Sequence, residues 1–123
     1  MKTLIIIGGF YCLAFAIFHL AFWKIFDWKT ELPKLNDTNR GVMQVLNLRL
    51  TYIFLVFAFV SFYFNSNLLT TDLGKIILGA ISLFWLMRAI EQPIFWKFND
   101  VTSVAFFLTF LFGAAIYFLP LVL

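Results

Sequence analysis

The chain has 123 residues, of which 63% are hydrophobic, 21% aromatic and 12% charged, with a mean hydropathy of +0.98. A soluble domain carries about 25% charge, and one this small has too little interior to hide eighteen Phe and four Trp. The composition argues against a soluble enzyme, a nucleic-acid module and a disordered tail, and makes the lipid bilayer the solvent. The net charge of +3 is scattered between apolar runs, where it reads as topology rather than as a nucleic-acid patch.

The first apolar segment runs from about Thr3 to Phe26. Lys2 and the Leu4-Ile5-Ile6-Ile7 run look like a signal-peptide start. The stretch outlasts an ordinary signal core, however, and has no small-x-small site before Phe22-Trp23-Lys24, so it is expected to be a retained span. Cys12, alone in the chain, is expected to be a packing residue; the bulky Phe10 and Tyr11 before it argue against a lipid anchor. In the polar loop from Asp27 to Asp37, Trp28, Leu32 and Leu35 recur at helical spacing, which suggests a piece lying on the membrane surface, and Pro33 argues against one continuous helix. Asn36 or Asp37 is the expected N-cap of a second segment over about 38–64. A loop from Asn65 to Asp72 leads, with Thr71 or Asp72 as cap, into a third segment over about 73–96. A tight turn, Lys97 to Asp100, leads into a fourth over about 101–123, capped by Asp100 and ended by Pro120. Each segment reaches the roughly 20 residues a spanning helix needs, and none alternates as a membrane β-strand does. The expected fold class is an all-α integral membrane protein, a four-transmembrane-helix up-down bundle forming a single domain over 1–123.

Lys24, Lys29, Lys34, Arg40 and Lys97 border the first and third loops; Lys2 and Lys75 border the other side. The positive-inside bias then puts those loops in the cytoplasm of an inner or plasma membrane, with both termini outside. The first and third segments also share an ending, Phe22-Trp23-Lys24 and Phe95-Trp96-Lys97, at an offset that aligns His19 with Gln92. This reads either as a parallel internal repeat or as two interfacial Trp-Lys anchors.

Ionisable groups inside a spanning helix are costly and usually face the bundle interior. His19, Gln44, Asn47, Arg49, Arg88, Glu91 and Gln92 all fall in the same, cytoplasmic half. Helical spacing arranges them in stripes: Tyr11, Phe15, His19 and Trp23; Gln44, Asn47 and Thr51; Trp85, Arg88 and Gln92, with Glu91 one turn from Arg88. Arg88 and Glu91 are expected to form a buried ion pair, and Pro93 to strip the Ala89 carbonyl of its donor. Plainer uses exist for each: His19, Gln44 and Asn47 as interhelical glue, Arg49 as an interface residue, and Arg88 with Glu91 as a structural pair. Gly113-Ala114-Ala115 offers a close-approach face, so the fourth helix is expected to pack or to mediate a homo-oligomer.

One histidine, one cysteine and few carboxylates make no convincing haem or metal centre, and no cofactor is expected. Small multidrug-resistance transporters share this size and span count, but their key acid lies in the first helix, where this chain has no carboxylate. The expected function is binding of a small amphipathic or anionic ligand, such as a lipid, in a polar pocket, as carrier, sensor or accessory subunit. Its residues would be His19, Trp23, Gln44, Asn47, Trp85, Arg88, Glu91 and Gln92. An intramembrane enzyme acting on a lipid or quinone-like substrate with His19 and Glu91 as acid and base, and a structural subunit of a membrane complex, are the alternatives.

Overall fold

A computed structural model describes residues 1–123 as helices and turns without a strand. Helix α1 spans Lys2–Leu20, the short α2 Phe22–Ile25 and α3 Trp28–Glu31, followed by a 3₁₀ turn over Leu32–Lys34. Then come α4 over Asp37–Tyr63, the short α5 over Asn65–Thr70, α6 over Asp72–Phe95 and α7 over Val101–Val122. Helices α1, α4, α6 and α7 are each long and apolar enough to cross a membrane. Only 26 of the 123 residues are buried, and large side chains such as Phe10, Ile17, Tyr52, Leu83 and Phe112 point outward, as lipid rather than water requires. This is a multi-pass membrane protein built as an all-α four-helix bundle.

Local chemistry sets the helix starts. Asn36 Oδ1 accepts from Asn39 N at 2.8 Å, Thr71 Oγ1 from Gly74 N at 2.9 Å and Asp100 Oδ1 from Ser103 N at 2.8 Å, each satisfying an otherwise orphaned first-turn donor. Two expected boundaries shift. The first span does not run unbroken to Phe26: it stops at Leu20, where Ala21 N is shared between the Ile17 and Phe18 carbonyls at 3.2 and 3.1 Å. The chain then turns at Asp27, whose φ of 51° lies in the left-handed region that aspartate tolerates. Pro120 does not end the last helix; α7 continues to Val122.

The segment after α1 is not a surface strip. Trp28 and Leu32 are buried, with Trp28 edge-on to Phe22 at 5.6 Å. Arg40 clasps the returning chain: its Nε donates to the Leu32 carbonyl at 3.1 Å and its Nη2 to the Leu35 carbonyl at 2.8 Å. One of the five cations that mark this side of the bundle therefore also shapes it.

The bundle consists of two helical hairpins, α1 with α4 and α6 with α7, joined through α5; α1 also packs on α7. Residue size explains the order. Gly8 of α1 lies under the ring of Tyr117, and Gly113 of α7 under the ring of Tyr11; a Cβ at either would come within 2.6 Å of the tyrosine. This reciprocal glycine–tyrosine fit brings α1 and α7 close. The tyrosines also find partners: Tyr11 OH donates to the Thr109 carbonyl at 2.8 Å, and Tyr117 OH bonds Ser61 Oγ at 2.8 Å. Between α4 and α6, by contrast, rings meet rings. Phe54 contacts Phe84 and Trp85 at 5.7 and 5.1 Å, and Phe57 contacts Phe84 at 5.5 Å, so the two backbones stand apart. Of the close-approach face expected at Gly113-Ala114-Ala115, for packing or for an oligomer, Gly113 and Ala114 are buried in packing within the chain, with the Ala114 carbonyl accepting from Ser82 Oγ at 2.8 Å, while Ala115 is exposed.

Candidate functional site

The separation of α4 from α6 leaves a partly open cavity of about 670 Å³, within the size range of small-molecule sites. It lies at the end of the bundle that carries α2, α3 and the α6–α7 turn. Its deep walls are aromatic, with Phe15, Phe18, Phe54, Trp85, Phe106 and Phe110 all present. The Trp85 ring is nearly parallel to Phe54 and Phe110, with interplanar angles of 14° and 13°. The mouth is rimmed by the exposed Phe26, Glu31, Met43, Trp96, Asp100 and Thr102.

Beside Thr102 and Ser103 in the first turn of α7, the polar side chains that reach the cavity from deeper in the spans are His19, Arg88 and Gln92. Behind His19 stands Asn47. His19 Nδ1 and Asn47 Oδ1 are 2.8 Å apart, and Asn47 Nδ2 donates to the His19 carbonyl at 3.0 Å. The second bond orients the amide so that Oδ1 is an acceptor. Nδ1 must then carry the hydrogen, and Nε2 of the neutral ring is left as a lone-pair acceptor. Asn47 thus positions His19 without lining the cavity.

Gln92 is fixed in the same way. Ser103 Oγ donates its only hydrogen to the Lys97 carbonyl, so it must accept from Gln92 Nε2, 3.1 Å away. Gln92 Oε1 is left buried and without a partner, on a side chain only 4% exposed. Ser103 was not singled out among the sequence candidates; the one available signal was its place in the first turn behind the Asp100 cap.

Arg88 makes no ion pair. The expected partner, Glu91, is exposed and lies outside the cavity lining, and the only ion pairs are Lys34–Glu31 and Arg40–Asp37. The guanidinium carbon instead sits 4.4 Å from the Phe110 ring centroid and 5.0 Å from that of Trp96, within cation–π range. Its Nη1 is buried with no acceptor. The Trp85 indole N–H also lacks a partner of good geometry and lies towards Cys12 Sγ, a weak acceptor.

Of the eight expected site residues, His19, Trp85, Arg88 and Gln92 line one cavity and Asn47 supports it from behind. Trp23 is half exposed, and Gln44 Nε2 is turned back to the Arg40 carbonyl at 3.2 Å; neither lines the cavity, nor does Glu91. Chemically the arrangement offers a cationic donor, two free acceptors and extended aromatic walls. No protein-family model, curated protein or solved structure matches the chain.

Proposed function

We propose that the protein binds a small amphipathic or anionic ligand in this cavity, as a carrier, sensor or accessory subunit of its membrane. The observation that carries the reading is the pair of unpartnered buried polar atoms, Arg88 Nη1 and Gln92 Oε1, on side chains of one aromatic-walled cavity. A buried polar group without a partner costs about 1–3 kcal/mol. A ligand whose head meets these atoms while its apolar body lies against Phe54, Trp85 and Phe110 recovers that cost and buries apolar surface as well. The enzyme reading is weaker, because Glu91, its partner for His19, is exposed and outside the cavity, and the carboxylates of the lining, Glu31 and Asp100, stand at the mouth engaged with Lys34 and Ser103 N.

In this reading the cavity mouth faces the cytoplasm and both termini lie outside. The support is the clustering of Lys24, Lys29, Lys34, Arg40 and Lys97 at the mouth end. The binding claim is tested by native mass spectrometry of protein extracted with its surrounding lipid. The expected result is one amphiphile per chain that survives collisional removal of annular lipid and is lost in Arg88→Met. Retention of no molecule, or equal retention by Arg88→Met, would overturn it.

A further inference from the structure

The unpartnered polar atoms on the side chains that line the cavity are of two kinds, and together they narrow the ligand class. Arg88 Nη1 can only donate. Gln92 Oε1 can only accept, because Ser103 holds the amide nitrogen. His19 Nε2 is a second acceptor, because Asn47 holds Nδ1. A head that only accepts, such as a carboxylate or a quinone carbonyl, satisfies Arg88 but sets its own lone pairs against Gln92 Oε1 and His19 Nε2. Arg88 is the one cation in the lining; at the mouth Glu31 is paired with Lys34 and Asp100 accepts from Ser103 N, so the ligand class is set by the free donors and acceptors. A neutral hydroxyl both accepts and donates.

Position adds a constraint on shape. Arg88 and Gln92 are four residues apart on α6, about 6 Å along the axis, so one compact head group can reach both side chains. Flat walls suit a flat head: Phe54, Trp85 and Phe110 present nearly parallel ring planes.

Building on the ligand-binding reading above, we infer that the cavity takes a neutral hydroxylated aromatic ring with an apolar tail, a hydroquinone-type lipid, in preference to an anionic amphiphile or to the same ring without its hydroxyl hydrogens. One ring hydroxyl accepts from Arg88, and the other donates to Gln92 Oε1 or His19 Nε2. The tail leaves past the aromatic walls towards lipid.

The test is anaerobic calorimetric titration of the full chain in detergent with three probes: 2-decylhydroquinone, its dimethyl ether, and dodecanoate. The ether keeps the shape and the accepting oxygens but loses both donors. The hydroquinone is expected to bind one per chain, about tenfold or more tighter than either comparison probe, as one unpaired buried acceptor implies. In Gln92→Leu its advantage over the ether should shrink to about threefold or less, with the ether's own affinity unchanged. If that variant does not fold, the three-probe series on the wild-type chain decides alone. Ether or dodecanoate binding as tightly as hydroquinone would overturn this inference and leave the ligand-binding reading standing; binding of none of the three would overturn both.

Discussion

At the residue scale, hydrogen-bond accounting separates the groups that hold the bundle from those that remain available. His19 with Asn47, and Gln92 with Ser103, each tie the two helices of one hairpin together, and in both cases the tie leaves an acceptor over. Asn47→Ala should strand the His19 Nδ1 hydrogen and lower stability by about 1–3 kcal/mol, read as a fall in the thermal midpoint in detergent; an unchanged midpoint would mean that the pair is not formed. Glu91→Gln should do nothing measurable, within about 0.5 kcal/mol, because Glu91 is exposed and forms no ion pair. A large loss would restore the buried ion pair that its spacing from Arg88 suggests. That spacing misled for a geometric reason. Positions 85, 88 and 92 share one stripe of a helix, while 91 falls to the side of it, and the aromatic neighbours Trp96 and Phe110 draw the guanidinium inward. Periodicity could identify the stripe; it could not identify which aromatic rings would stack on it.

At the element scale, small residues decide which helices touch. Gly113→Ala puts a methyl group into the Tyr11 ring and should cost about 1–3 kcal/mol through overpacking. Gly41, in the exposed first part of α4, has nothing within 4 Å, and Gly41→Ala should stabilise by up to about 1 kcal/mol through helix propensity alone. Opposite signs in a detergent unfolding series are the expected outcome; the same sign at both would contradict the close approach of α1 and α7. The four spans and three of the caps were legible because length, hydropathy and Asn, Thr or Asp at the boundary are local signals. The break at Ala21 and the burial of Trp28 and Leu32 were not, since they depend on the chain folding back under the bundle and on Arg40 reaching the Leu32 and Leu35 carbonyls. The shared Phe-Trp-Lys endings fall in α2 and at the end of α6, with Trp23 and Trp96 both half exposed, the placement of an interfacial anchor.

At the scale of the whole molecule, tight packing of α1 on α4 and α7, and of α6 on α7, leaves the α4–α6 side held apart by aromatic rings, and the cavity follows from that asymmetry. The sequence placed the polar groups in one half of the bundle because depth follows from counting along helices of alternating direction. It could not show the cavity, whose aromatic walls carry the same residues as the lipid-facing surface. Orientation is checked with reporters fused at Leu123 and within the Thr30–Lys34 loop: the loop should report cytoplasm and Leu123 the opposite side, and a cytoplasmic C-terminus would reverse the topology. The most direct examination of the ligand-binding claim is an experimental structure of the chain in its native lipid. We expect density for one non-protein molecule against Phe54, Trp85 and Phe110, with a polar atom within about 3.5 Å of Arg88 Nη1 or Gln92 Oε1. A cavity that holds only water, or that has closed by Phe54 and Phe84 moving into it, would contradict the claim.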